Sequence, residues 1–468
     1  MHLSQQPNAD VQEHKRAVMT QSPIRQLIIK LAIPTMIAMM ITSIYNMADT
    51  FFVGQISAGS AAATSATAAV GVAFPLMSII QAFGFMFGHG SGNFISRALG
   101  SQDTEEAERM AATGFFSALI AGAVLSVLGL CFVTPLARLL GSTETILPYA
   151  VEYIRIILIG APWMAASLVL NNQLRFQGNT LFAMIGIGAG GLLNMGMDPL
   201  FIFGLNMGVS GAAWATIISQ FASFCLLFIG TRKSDNLNIY LRNFTPKAHY
   251  FAEIIKGGLP SLCRQGVTSL GTACLNNASA AFGDPAIAAM SIVTRVMQFA
   301  SSLVIGFGQG FQPFCGFNYG AKEYGRVKQG FFFCVKVCTA FLLIVTCVGL
   351  IFAPQIIALF RADDAEVIRI GSTALRLQCA TLPLFAFVTI ANMMMQTTAQ
   401  TVRASLVALG RQGLFFLPLI LALPPLLGLT GIELVQPLAD LMTFILALAL
   451  QIGLLRRINR LQAKESGE

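Results

Sequence analysis

The sequence predicts an all-α membrane protein whose twelve transmembrane helices form two six-helix lobes. Three observations predict it. The chain is too poor in charge to cover a soluble globule, it carries apolar stretches of spanning length almost end to end, and it matches itself at an offset of 220 residues.

Of the 468 residues 55% are hydrophobic and only 11% charged, whereas soluble domains carry about 25% charged residues. The 43 glycines and 18 prolines are scattered through the apolar stretches, as membrane helices tolerate. The net charge of +8 comes from lysines and arginines placed mostly between those stretches. That pattern speaks for membrane topology rather than nucleic-acid binding. Residues 1–23 are polar and lack a basic segment followed by a short apolar core, so no cleavable signal peptide is expected. Nine cysteines, mostly inside apolar stretches, offer neither a disulfide framework nor a metal site. No hydrolase elbow, P-loop or dinucleotide fingerprint is present, so neither an enzyme nor a cofactor is expected.

Apolar stretches of about 20 residues fall near 28–53, 63–88, 110–133, 148–172, 180–204 and 208–231, then near 250–274, 285–312, 328–352, 366–398, 402–427 and 431–455. This divides the chain into an N-terminal tail (1–25), an N-terminal lobe (26–231), a linker (232–249), a C-terminal lobe (250–455) and a C-terminal tail (456–468). One set of loops carries Arg97, Arg109, Arg232, Lys233, Arg242, Lys322, Arg326 and Arg456, while the opposite set offers little beyond Arg138, Arg361 and Arg369. Lysine and arginine mark the inner side, so both termini are expected in the cytoplasm.

The duplication joins several matches. "FGHGSGNFISRALG" (87–100) overlies "FGQGFQPFCGFNYG" (307–320), and "GVSG" at Gly208 overlies "GLTG" at Gly428. With a slip of one residue Asn171 meets Asn392, and with a larger one Pro34 meets Pro260. Six spans per repeat is an even number, so both halves enter the membrane with the same polarity, a layout known in transporters.

Within the first half, Asp49 lies about 21 residues into span one, Asp198 about 18 into span five and Thr216 about 8 into span six, which runs the other way. At 1.5 Å per residue all three share a depth in the outer half of the bilayer. A charge there costs at least about 2.5 kcal/mol, and intramembrane ionisable groups are functional by default. Asn194 lies four residues before Asp198, and Asn46 three before Asp49, so each pair shares a helical face. Pro199 lacks an N–H and frees the carbonyl of Met195. Carboxylates, an amide, a hydroxyl and a bare carbonyl are hard oxygen donors suited to a proton or Na⁺.

At these residues the chain resembles the multidrug and toxic compound extrusion (MATE) transporters, of the MepA/DinF- and NorM-like bacterial branch. The resemblance covers residues 25–455. It rests on "NMADTFFVG" behind a span-one proline, "SRALGSQDTEEAERM", "RFQGN", the Asn194…Asp198-Pro199 pattern and "GVSGAAWAT". It implies twelve helices in two lobes forming a V, and export of organic cations against inward H⁺ or Na⁺. The family's cation site then maps onto Asp49, Asn194, Asp198 and Thr216, which would hold a metal ion only if Na⁺ is the coupling ion. The chain departs from relatives that carry acids on spans seven and ten, for neither span has one here.

The second half instead places Arg264 and Arg295 near mid-membrane, with Asp440 at the depth of Arg295. A structural Arg295–Asp440 ion pair is expected, and the alternative is a positive cavity wall for anionic or zwitterionic substrates. Asn46, Met36, Met39 and Met40 join Arg264 and Arg295 as cavity positions, the methionines because soft, adaptable side chains suit varied ligands. Expected partners are drug-like small molecules and membrane lipids, with no nucleic acid, and the chain is expected to be monomeric in the inner or plasma membrane. A lipid-linked oligosaccharide flippase is the rival function, and an intramembrane enzyme a more distant one.

Overall fold

In the computed structural model residues 9–56, 61–233, 236–360 and 364–466 are described, without the side chains at 9–11, 49–51, 53–56, 61–67, 233, 284 and 466. Among the described residues every regular element is helical. The N-terminal half contains α1 (Ala9–Gln21), α2 (Ile24–Ile56), α3 (Ala61–Gly100), α4 (Thr104–Cys131), α5 (Val133–Leu139), α6 (Leu147–Phe176), α7 (Thr180–Pro199) and α8 (Gly208–Lys233). The C-terminal half contains α9 (Ala248–Ala280), α10 (Asp284–Gly320), α11 (Tyr324–Ala358), α12 (Ala365–Thr397), α13 (Thr401–Leu409), α14 (Phe416–Leu427) and α15 (Leu429–Ser466). A π-helical turn follows α7 at Leu200–Gly204, and another joins α13 to α14 at Gly410–Leu414.

Eleven helical stretches among the described residues are long and apolar enough to cross a membrane. The remaining expected span is α9, which has the length at 33 residues. Lys256, Arg264, Gln265, Thr268 and Ser269 keep it more polar than the rest. The N-terminal tail is partly structured: α1 buries Met19, Arg16 Nε donates to the carbonyl of Gly100 (2.9 Å), and Lys15 Nζ donates to Asn236 Oδ1 (3.1 Å).

The internal repeat is written into the backbone. Left-handed φ recurs at Gln102 (66°) and Lys322 (64°), at Gly178 (84°) and Ala399 (56°), and at Gly208 (57°) and Gly428 (61°). Close helix contacts recur too. A Cβ on Gly190 would meet Ser223 Cβ at 2.8 Å, and one on Gly410 would meet Thr443 Cγ2 at 3.1 Å. Asn171 Nδ2 donates to the Ala183 carbonyl (2.8 Å) and Asn392 Nδ2 to the Ala404 carbonyl (2.7 Å), each across 12 residues. Both amides are buried and lock α6 to α7 and α12 to α13. Asn171→Leu and Asn392→Leu each remove that bridging bond, while the carbonyl keeps its place in its own helix, a loss of about 0.5–1.5 kcal/mol. The expected outcome is a similar drop in thermal midpoint for both variants in a detergent melt, and unequal drops would show that the two turns do different jobs.

The chain forms two compact units that do not follow the simple halves. One unit is Met1–Gln21 with Ile37–Gly258, and the other is Ser22–Met36 with Leu259–Glu468. Thus the first part of α2 packs with the C-terminal helices and the first part of α9 with the N-terminal ones. Glycines make both placements possible. Thr35 Oγ1 donates to the Gly306 carbonyl (2.7 Å), and a Cβ on Gly306 would stand 2.8 Å from Met36 Cα. In the other unit a Cβ on Gly90 would stand 2.8 Å from Ile254 Cα, and one on Gly257 3.0 Å from Gly90 Cα. Backbone-to-backbone approach of this kind is how small residues let membrane helices pack. In the N-terminal unit a further apolar cluster joins α3, α6 and α8 through Ile80, Tyr153, Ile157, Ala161, Ala212 and Ile217.

Candidate functional site

The site grows out of α7. Asn179 caps its start, its side chain accepting from Phe182 N. A run of glycines then removes side-chain bulk on two sides. On one, Gly186 and Gly190 admit Leu227, Ser219 and Ser223 of α8. On the other, a Cβ on Gly188 would meet Ile41 Cδ1 at 3.2 Å, and one on Gly191 would meet Ile41 Cγ2 at 3.3 Å and Tyr45 Cβ at 3.6 Å. So α2 and α7 run side by side in the same direction, Ile41 beside Gly188 and Tyr45 beside Gly191.

One and two turns beyond that contact come Asn194 and Asp198, buried at 1% and 0% exposure. Asn194 Nδ2 donates to Asp198 Oδ1 at 3.2 Å. The same register carries position 49 of α2 level with positions 194–195. Asp49 itself is helical in backbone, and its side chain lies outside the described residues. Thr216 on α8 is buried, and its hydroxyl donates to the Ala212 carbonyl of its own helix (2.9 Å).

Immediately past Asp198 the regular hydrogen bonding gives way at Pro199, and the π-turn Leu200–Gly204 follows. A proline cannot donate back to the fourth preceding carbonyl, and π-turns inside helices gather at functional sites. The buried carboxylate therefore lies where the regular α-helical ladder ends, just before the π-turn. Sequence reasoning missed Ser219 and Ser223. Both are buried and continue the Thr216 face of α8 at steps of three and four, with Ser223 Oγ donating to the Gly186 carbonyl (2.8 Å). The i, i+3, i+7 spacing was the available signal. Trp163 Nε1, donating to the Ile217 carbonyl at 3.1 Å, braces α8 one residue past Thr216.

The other expected residues are placed as follows. Met36, Met39 and Met40 are half-buried on α2, Asn46 is exposed, Arg264 is half-buried on α9 and Arg295 is exposed on α10. The expected Arg295–Asp440 pair is not formed. Asp440 accepts from Arg411 Nε at 2.8 Å and from Gln436 Nε2 at 2.7 Å. Matching depth alone selected Arg295, whereas the π-turn at Gly410–Leu414 delivers Arg411 to the face of α15 that carries Asp440.

The comparisons with known proteins agree with this architecture. The MatE family model matches the chain twice, over residues 34–200 and 260–421. Each match begins at one of the two prolines paired by the internal repeat. Multidrug export protein MepA of Staphylococcus haemolyticus is 27% identical over 442 residues, covering 94% of this chain and 95% of that protein. MepA of Staphylococcus saprophyticus is 28% identical over 407 residues, covering 86% and 87%. Among solved structures, MATE in the straight conformation superposes with a TM-score of 0.87 at 26% identity, covering 95% of this chain and 99% of that one. MATE in complex with MaL6 gives a TM-score of 0.88 at 24% identity. Eleven apolar helices and these matches make the protein a multi-pass, all-α membrane protein. Matched by one family model in each of its halves, the chain belongs to the MatE family.

Proposed function

We propose that the protein is a secondary active exporter of drug-like organic compounds, chiefly amphipathic cations, exchanged for inward H⁺ or Na⁺. The observation that carries this reading is Asp198, a fully buried carboxylate held by Asn194 beside a broken helix end. A carboxylate held in such a place has a use when it takes up and gives back a cation. Asp49, Asn194 and Thr216 complete the coupling site, with Thr216 offering its lone pairs once its hydroxyl hydrogen is committed to Ala212. Ion entering from outside repacks α2, α7 and α8 and lowers the affinity for substrate, which leaves outward. The relatives named MepA are multidrug exporters, which supports a wide substrate range. Met39 and Met40 supply soft contacts on α2. The protein works as a monomer in the inner membrane with both termini in the cytoplasm.

The test is efflux of ethidium from proteoliposomes under separately imposed pH and sodium gradients. One of the two gradients is expected to drive efflux and thereby to name the coupling ion. Efflux under neither would overturn the reading.

A further inference from the structure

The connector between the two halves is strapped along the start of α4. After a 3₁₀ turn at Leu241–Asn243, Asn243 Nδ2 donates to Glu108 Oε2 at 3.2 Å and Thr245 N donates to Thr113 Oγ1 at 3.2 Å. Between them the Phe244 ring stands edge-on to Phe116, centroids 5.8 Å apart. Tyr250, at the start of α9, closes the strap by donating to Glu106 Oε1 at 3.0 Å. Beside these contacts lies a half-open hollow of about 300 Å³, lined by Glu105, Glu108, Arg109, Arg242, Thr245 and Lys247.

Charges of both signs face this hollow, and several are uncommitted. Arg109 is paired with Glu105. Glu108 Oε1 and the Lys247 ammonium make no hydrogen bond or ion pair among the described residues. The Arg242 guanidinium makes none either and only overlies the Tyr240 ring, 4.9 Å from its centroid. Arg242 and Glu108 attract one another yet form no ion pair, so a gap separates the opposite charges.

The hollow sits at the border of the membrane. Glu105, Glu108 and Arg109 directly precede the apolar stretch 110–133, whereas Thr113 and Phe116 lie inside it. Arg109, Phe116, Ile120, Val124 and Val127 follow at steps of seven, four, four and three, on one face of α4. The last three are 52%, 50% and 60% exposed. An exposed apolar track therefore leads from the charged hollow into the span. Tyr240 and Leu241, next to Arg242, are 44% and 69% exposed, as suits side chains resting in a headgroup layer.

We propose that this hollow holds the headgroup of a zwitterionic phospholipid with a primary ammonium, its acyl chains laid along α4. Arg242 and Lys247 take the phosphodiester, as basic pockets between membrane helices do for lipid headgroups. Glu108 takes the ammonium, whose three donors are those of a lysine head. A headgroup with negative charge alone would set its anion against Glu108, and like charges brought together cost affinity. A quaternary ammonium has no N–H to offer. A free phosphate ester would leave the apolar track uncovered. The volume is that of a small-molecule site. The proposal uses the membrane placement alone and goes beyond the export reading.

The experiment is native mass spectrometry of the purified full-length protein, titrated in detergent with dioleoyl phosphatidylethanolamine, phosphatidylglycerol or phosphatidylcholine. The wild type is expected to hold one phosphatidylethanolamine about tenfold tighter than either other lipid, the worth of one charge-assisted pair. Glu108→Gln keeps the size and the oxygen that accepts from Asn243. It is expected to lose the preference and to bind phosphatidylglycerol at least as well. The double variant Arg242→Gln/Lys247→Gln, at two exposed positions, is expected to weaken all three lipids. Equal wild-type affinity for the three overturns the proposal, and so does a phosphatidylethanolamine preference that survives Glu108→Gln. Glycerophosphoethanolamine, the headgroup without chains, is expected not to displace the lipid at equal concentration. Displacement would make a soluble phosphate ester the occupant and overturn the lipid assignment.

Discussion

Asp198→Asn is expected to end gradient-driven export while leaving the protein folded. Asparagine matches aspartate in size, and its amide oxygen can still accept from Asn194, so the packing at this fully buried position survives. What disappears is the charge that loads and unloads the ion. Under proton coupling the amide mimics the loaded, neutral carboxyl group. If loading weakens substrate binding, linkage requires the variant to bind drug more weakly, by the roughly 5–150-fold typical of coupled sites. Linkage also requires drug binding to expel a proton from the wild type and none from the variant. Titration in a weak buffer, with proton release read beside affinity, checks both signs. Wild-type export rates in Asp198→Asn would take this residue out of the coupling step.

The second large effect is expected at the glycines where half-helices cross. Gly90→Val puts a Cβ 2.8 Å from Ile254 Cα, and Gly310→Val puts one 2.6 Å from Ala32 N. In both cases the obstacle is main chain, which cannot swing aside as a side chain can. Overpacking a core usually costs about 1–3 kcal/mol and sometimes more. A backbone clash on a crossing helix belongs at the upper end, at about 3 kcal/mol. Each variant should lose its monodisperse peak on size exclusion or melt well below the wild type. Gly266→Ala is the matched control, because a Cβ there meets nothing within 4 Å. A control as damaging as the two valine variants would mean that glycine is needed for some reason other than close approach.

Much of this was legible beforehand, and the residues show why. Apolar stretches must be about 20 residues long to cross a bilayer, so the helices could be counted from hydropathy, including α9, whose polar residues blur it. The repeat was legible because turns need particular residues at fixed spacing: Gly208 and Gly428 both take left-handed φ. Asn194 and Asp198 were found by spacing, since positions four apart on a helix must meet. Orientation between distant helices was not legible. Depth placed Arg295 level with Asp440, but facing depends on helix rotation, and a π-turn alters that rotation within a few residues. For the same reason Arg411 was passed over. Ser219 and Ser223 were visible as a stripe, yet serine bonds its own helix so readily that the stripe carried little weight until Gly186 and Gly190 showed how near α7 runs.

The exchange of half-helices has a bearing on ancestry and assembly. Ser22–Met36 fills a groove among the later helices, and the stretch before Gly258 fills one among the earlier helices. Neither product of the duplication is therefore a self-sufficient body. Cut at the connector, each would keep an open slot shaped for a strut that the other carries. A six-helix forerunner with this same wiring would complete its fold by lending that strut to a twin.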